Sequence, residues 1–245
     1  MKWGVTLALL AGLVAAVWLV WAIGFDDVFA AVARAGFSGL LLLCLYALLV
    51  FVPLALSWEC LLPRGQRRPF RHLYVARLVR DSIAEISPFS PVGGMVAAAR
   101  LVILKGMNPG YAAASVAADA TTEAMAQVAF LALGLAVGLS VFQGMDGTGT
   151  LTALMVGMLL LAVPGITGLI LLQKRGVGFA AKIAARFFPQ AGRGIGFGEA
   201  IRAIYASPRR LAASASLHLL AWIGAGGGAF ISFRLMGGEI TLLEA

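Results

Sequence analysis

The chain has 245 residues, 61% hydrophobic and only 12% charged, against about 25% charged in a soluble domain. That leaves too little polar surface to wrap a water-soluble globule and makes the chain an integral membrane protein. The net charge of +8 comes from 19 Lys and Arg against 11 Asp and Glu; the basic residues sit between apolar runs, so the excess reads as the loop bias of a membrane protein and not as a nucleic-acid footprint.

Five runs meet the length of roughly 20 apolar residues that a helical span needs. In chain order they are Trp3–Gly24, Phe37–Trp58, a run ending near Phe142, Leu151–Leu172 and Leu211–Phe233. The first exceeds the apolar core of a signal peptide and is read as a span. Trp3, Trp21 and Trp58 lie near span ends, where indole rings favour the interface. Pro53 and Pro164 fall inside spans and are expected to kink them. Cys44 and Cys60 lie 16 residues apart on one run, cannot bridge each other, and read as small hydrophobes.

Placing the N-terminus in the cytoplasm puts Asp26, Asp27 and Arg34 in an outer loop. The stretch Pro63–Arg80, with six arginines, and the long segment Gln173–Arg210 are then inside. Seventeen of the nineteen basic residues fall on the inner side, with Arg34 and Arg234 outside. This orientation constrains the stretch DSIAEISPFSPVGGMVAAAR, residues 81–100. One crossing there would invert everything downstream, so the segment must return to the side it left. Pro88, Pro91, Gly93 and Gly94 break a helix in its middle, and non-helical backbone at membrane depth survives only inside protein or beside a watery cavity. The expectation is a re-entrant pair of short helices over 81–104, tipped by SPFSPVGG.

Beyond Lys105, Ser115, Asp119, Glu123 and Gln127 recur every four residues, a polar stripe on one helix face with Thr122 beside it. Ionisable residues inside a membrane are costly and point to function. Arg77, Arg80 and Arg100 flank the broken segment, and Arg77, Asp81 and Glu85 share a helix face. A cavity lined by these groups suits a phosphate or zwitterionic headgroup. An internal ion-pair lattice holding the segment in place fits the same residues, and the two readings stay open. In the long segment, Phe179, Ile183 and Phe187 oppose Lys182 and Arg186, a short basic amphipathic helix; anionic lipid is the expected partner of the basic region 174–210. In the last run, Gly224 and Gly228 permit close helix packing. His218 there shows no partner cluster and reads as a packed or interfacial histidine. No nucleophile elbow, P-loop or metal-spaced His/Cys set is present, and AGRGIGFGEA does not complete a dinucleotide fingerprint. No enzymatic activity, metal or cofactor is expected.

The runs VARLVRDSIAEISPFSPVGGMVAAARLVILKG and AAASVAADATTEAMAQVAFLALGLA resemble the flippase-like family, the transmembrane region of lysylphosphatidylglycerol synthases and its stand-alone relatives. Within it the chain is most similar to hopanoid-biosynthesis-associated membrane proteins. The matching elements are VRD, PFSPVGG, the AAR step and the S-x-x-x-D-x-T-x-E-x-x-x-Q stripe. They carry over Arg80, Asp81, Pro88, Gly93, Gly94, Arg100, Asp119, Glu123 and Gln127. The resemblance implies an all-α, multi-pass bacterial inner-membrane domain spanning 1–245, with about five spans plus the re-entrant segment and no soluble domain. Its implied role is translocation or transport of a polar lipid, linked to hopanoids. Met95 stands where many relatives carry an acid, so a role for that acid does not transfer. The family usually runs longer, so the chain is expected to be incomplete at its C-terminus. A proton-coupled solute transporter using Asp119 and Glu123, and a scaffold for a lipid-biosynthesis complex with partner proteins or further copies of itself, are the competing readings.

Overall fold

The computed structural model describes residues 2–86, 90–141, 148–175 and 196–242. Eight α-helices and one 3-10 turn, Arg64–Gln66, make up these residues, and no strand occurs among them. The helices are α1 Lys2–Ile23, α2 Phe25–Leu61, α3 Phe70–Ile86, α4 Ser90–Leu104, α5 Pro109–Val141, α6 Thr148–Arg175, α7 Phe197–Tyr205 and α8 Pro208–Leu235. The protein is therefore an all-α polytopic membrane protein. Within the described residues, three stretches are long and apolar enough to cross a bilayer: Val28–Leu61, Pro109–Gly138 and Pro208–Leu235. The predicted runs in α1 and α6 are also helical, with shorter apolar windows among the described residues.

Local chemistry explains several boundaries. Asn108 accepts hydrogen bonds through Oδ1 from the Gly110 and Tyr111 amides at 2.9 and 3.2 Å, and Pro109 starts α5 where an amide hydrogen would be surplus. Pro208 does the same for α8. The expected outer loop around Asp26 and Arg34 is instead helical; α2 leaves helical backbone at Gly36, with φ 62°, and Pro53 lies inside it. Glycine alone takes that left-handed backbone cheaply, whereas the carbonyl freed by a proline inside a membrane helix can find other partners. Arg34 Nη1 donates to the Met236 carbonyl at 3.3 Å, placing a cation at the C-terminal end of α8.

The best-packed core lies at one end of the bundle. Trp58 and Leu61 from α2 with Leu62 just beyond it, Leu73 and Ala76 from α3, Ala98, Ala99 and Val102 from α4, and Tyr111 with its alanine neighbours from α5 close around Phe197, Ile201 and Ile204 of α7. Trp58 is thus a core residue, 1% exposed, and not an interfacial anchor; its indole donates to Ser115 Oγ at 2.9 Å. Helix α7 lies within the segment expected to be a loop; its apolar face supplies a lid to this core while Glu199 and Arg202 share the same short helix. Elsewhere α1 and α2 show large side chains outward, such as Leu13, Trp18, Leu40 and Leu49, as lipid-facing helices do.

Helices α3 and α4 form an antiparallel hairpin that returns the chain to the end it came from, and Arg68 donates to the Gly106 carbonyl across its base. The predicted same-side return is therefore found, but the hairpin begins at Phe70, earlier than the expected 81. Residues 70–80 of the basic stretch Pro63–Arg80 belong to its first helix. Residues 87–89, including Pro88 at the tip, lie outside the described residues, as do the basic amphipathic segment 179–187 and most of the basic region expected to meet anionic lipid. Gly94 explains half of the glycine pair: a Cβ there would collide with the Arg80 carbonyl oxygen, whereas one at Gly93 meets only Ile83 at 3.7 Å. The GAGGGA stretch of α8 has an equally concrete reason. Tyr46 of α2 lies across Gly227 and Gly228, and its hydroxyl donates to the Gly224 carbonyl at 2.8 Å.

Gly94→Ala is expected to cost about 1–3 kcal/mol, the range for overpacking against a fixed backbone, with Gly93→Ala close to neutral. Thermal unfolding of both variants in detergent checks the pair; equal melting temperatures would remove the close approach as the reason for Gly94.

Candidate functional site

The polar residues of α3 and α5 converge midway along the hairpin. Asp119 and Glu123 lie ten and fourteen residues into α5, about 15 and 21 Å along its axis, against an apolar bilayer core of about 30 Å. Arg77 is 1% exposed and divides its guanidinium among three carboxylates. Its Nη1 donates to Asp119 Oδ2 at 2.7 Å, Nη2 to Glu123 Oε1 at 2.7 Å and Nε to Asp81 Oδ2 at 2.8 Å. Arg80, one turn on, gives Nη1 to the same Asp119 Oδ2 at 2.6 Å and Nη2 to Glu123 Oε2 at 2.5 Å. Its Nε faces Asp81 Oδ1 at 3.6 Å. Each Glu123 oxygen takes a different arginine, and Asp119 Oδ2 takes both. Planar guanidinium forks make this lattice possible; lysine ammoniums lack the geometry.

The other oxygen of Asp119 faces away from α3. His218 Nε2 of α8 lies 3.0 Å from Asp119 Oδ1, and Ser57 of α2 lies within 3.3 Å of the same oxygen. An ionised carboxylate oxygen only accepts, which assigns the hydrogen to Nε2. Ser57 Oγ is 3.1 Å from that nitrogen and donates to the Leu54 carbonyl at 2.7 Å. Serine, histidine and aspartate meet here, but not as a nucleophilic relay: that needs one imidazole nitrogen for the serine and the other for the aspartate. One nitrogen serves both, and all three side chains are closed off from solvent. His218 Nδ1 is buried and has no hydrogen-bond partner among the described residues. Thr122 and Ser214 share a bond of 2.8 Å that ties α5 to α8 beside the cluster.

Two guanidiniums therefore face three carboxylates, leaving an excess of one negative charge when the imidazole is neutral. The cluster is closed on the α8 side and partly open on the other. The side chains of Asp119 and Arg77 are each 1% exposed, whereas Glu123 is 24% and Asp81 26% exposed. Gln127, the next step of the stripe, has left the cluster and lines an apolar groove of about 670 Å³ between α5, α6 and α8, with Phe130, Met158 and Trp222 among its walls.

Of the residues singled out from sequence, Arg77, Arg80, Asp81, Asp119 and Glu123 meet in one lattice. Glu85 and Arg100 do not join it: both are exposed, and among the described residues neither makes an ion pair. Their helix positions carry them past the packed face. Gly94 shapes the hairpin, Gly93 is exposed, and Pro88 is outside the described residues. His218 and Ser57 were missed as site members. The cluster they belong to is assembled from four helices and has no local signature, although a histidine amid apolar residues marked the position.

The family model described as Lysylphosphatidylglycerol synthase TM region matches residues 5–245. No curated protein and no solved structure matches the chain.

Removing one partner from a buried ion pair costs about 3–5 kcal/mol because the other is left uncompensated. Arg77→Met and Asp119→Ala are expected to fall in that range by thermal or denaturant unfolding, whereas Glu85→Gln and Arg100→Gln stay within about 0.5 kcal/mol of the parent. Parent-like stability in Arg77→Met would show that the lattice does not hold the hairpin.

Proposed function

The chain belongs to the family of the lysylphosphatidylglycerol synthase transmembrane region, and from that premise we propose that it translocates or transports a polar lipid in a bacterial inner membrane. Hopanoids are the lipid class that the sequence resemblance favours. The observation that carries this reading is the junction at Glu123. A half-open ion-pair lattice stands one helical turn from Gln127, where the apolar groove begins. An amphiphile needs that juxtaposition: polar partners for its headgroup beside apolar walls for its body. The headgroup approaches from the side of Asp81 and Glu123 and exchanges hydrogen bonds with the lattice as it passes. Ion pairs with two alternative partners release one contact as another forms, so no charge is left bare at any stage. Membrane lipids are the partners this assigns. No catalytic step is needed.

A proton-coupled solute transporter is the second reading, favoured by the carboxylate excess and by the imidazole on Asp119. It requires uptake of a solute that collapses with the pH gradient.

A lipid inventory of separated inner and outer membranes, with and without the gene, tests the proposal. The expected result without it is an inner-membrane shift or loss of a hopanoid or other polar lipid class, restored by the parent and by Glu85→Gln but not by Glu123→Gln. Unchanged distribution of every lipid class overturns lipid movement, and solute uptake lost in Glu123→Gln would then establish the second reading.

A further inference from the structure

A second polar constellation lies at the base of the hairpin, away from the buried lattice. Arg64, Arg67 and Arg68 on the turn before α3, Arg71 in the first turn of α3 and Lys105 on the turn after α4 gather at this end, and among the described residues none of them makes an ion pair. The two turns are fixed to each other. Gly106 takes a left-handed φ of 87°, and its carbonyl receives Arg68 Nη2. Arg68 Nη1 is turned back on the Arg67 carbonyl at 3.1 Å.

This small region holds three of the four buried side-chain N or O atoms that lack a hydrogen-bond partner among the described residues: Arg68 Nε, His72 Nδ1 and Gln66 Oε1. Buried polar atoms are ordinarily satisfied, so three orphans within seven residues of chain leave hydrogen-bonding capacity unused at the hairpin base. Arg68 Nε is always a donor. His72 Nδ1 becomes one by choice of tautomer, and Gln66 presents its NH2 after a flip of the amide. The Arg68–Gly106 bond brings Arg68 beside the turn that carries Lys105, and Arg71 follows three residues on in the first turn of α3; partial burial, then the fields of Arg71, Lys105 and Arg68, hold the His72 imidazole below its usual pKa. All that a ligand must bring is negative charge and acceptor oxygens. Exposed apolar side chains border the turns: Leu104 is 84% exposed and Phe70 37%. Since these turns cap membrane helices, such side chains sit at headgroup depth with the apolar parts toward the acyl region.

We propose that the turns Pro63–His72 and Lys105–Met107 form a binding site for the phosphate of an anionic phospholipid, gripped by Arg68, Arg71 and Lys105, with Phe70 and Leu104 against the upper acyl chain. This lipid is an anchor for the hairpin base, not cargo, and the site uses neither Glu123 nor the basic segment 174–210.

The test is native mass spectrometry of the full chain released from vesicles of phosphatidylglycerol mixed equally with phosphatidylcholine. The parent is expected to retain phosphatidylglycerol in preference, and Arg71→Gln/Lys105→Gln to lose that preference about tenfold or more, since each removed cation weakens the attraction to anionic lipid. Both positions are exposed, and Arg71→Lys, which keeps the charge, is expected to restore most of the preference. Glu123→Gln should retain the lipid like the parent, which separates this site from lipid movement. Equal retention of the two lipids by the parent, or undiminished preference in the double variant, overturns the proposal. Displacement of the lipid by equimolar inorganic phosphate assigns the site to a free anion instead. Binding of an acidic peptide with no lipid preference assigns it to a protein partner.

Discussion

The hairpin depends on the guanidinium of Arg77. A cation on a helix between apolar neighbours is tolerable only when compensated, because the cost of burying it uncompensated exceeds the stability of most domains. Asp81 compensates from the same helix at i+4, and Asp119 and Glu123 from α5. The consequence is mechanical. Arg77 and Arg80 reach all three acids only if α3 lies alongside α5 at one rotation and one depth, so the charges set the register of the hairpin against the bundle. Apolar contacts alone, with their weak directionality, would permit sliding.

That register also requires close backbones. Helix α5 presents Ala112, Ala114 and Ala118 fully buried where its neighbours approach, and Gly94 lets α4 ride directly on the Arg80 carbonyl. On the far side, Gly224, Gly227 and Gly228 admit Tyr46, drawing α8 toward α2. Helices in lipid gain little from burying apolar surface, which makes small residues and polar bonds the main sources of their association. His218 and Ser57 reach Asp119 from the two helices that this glycine seam joins. The seam and the lattice are thus two parts of one arrangement.

Polarity is distributed unevenly around Asp119. Toward α8 every neighbour is buried; toward Glu123 and Asp81 the cluster opens, and beyond it the stripe runs into an apolar groove. Membership of the lysylphosphatidylglycerol synthase transmembrane family makes a lipid-related membrane function the frame for this asymmetry. Movement of the lipid past the open side is our reading of it. The basic turns at the hairpin base carry a separate chemistry, in which cations have orphaned polar atoms beside them and, among the described residues, no ion pair.

Much of this was legible in the residues alone. Span-length apolar runs must become helices, because a bilayer offers no other partner for the backbone. The four-residue spacing of Ser115, Asp119 and Glu123 puts them on one face in any helix, and the basic-residue balance demanded that the broken segment return to its own side. Other features were decided only by tertiary structure. Trp58 became a core residue, Gly36 broke α2, and residues 70–80 of the basic stretch became part of the helix that carries Arg77 and Arg80. His218, alone in its own helix, found Asp119 a hundred residues away in sequence, while Arg100 and Glu85, close in sequence to the site, were turned out of it. Helical periodicity is a local property and survives in a string of letters. Which face meets which neighbour depends on how closely two backbones approach, and here that rests on contacts between residues far apart in the chain.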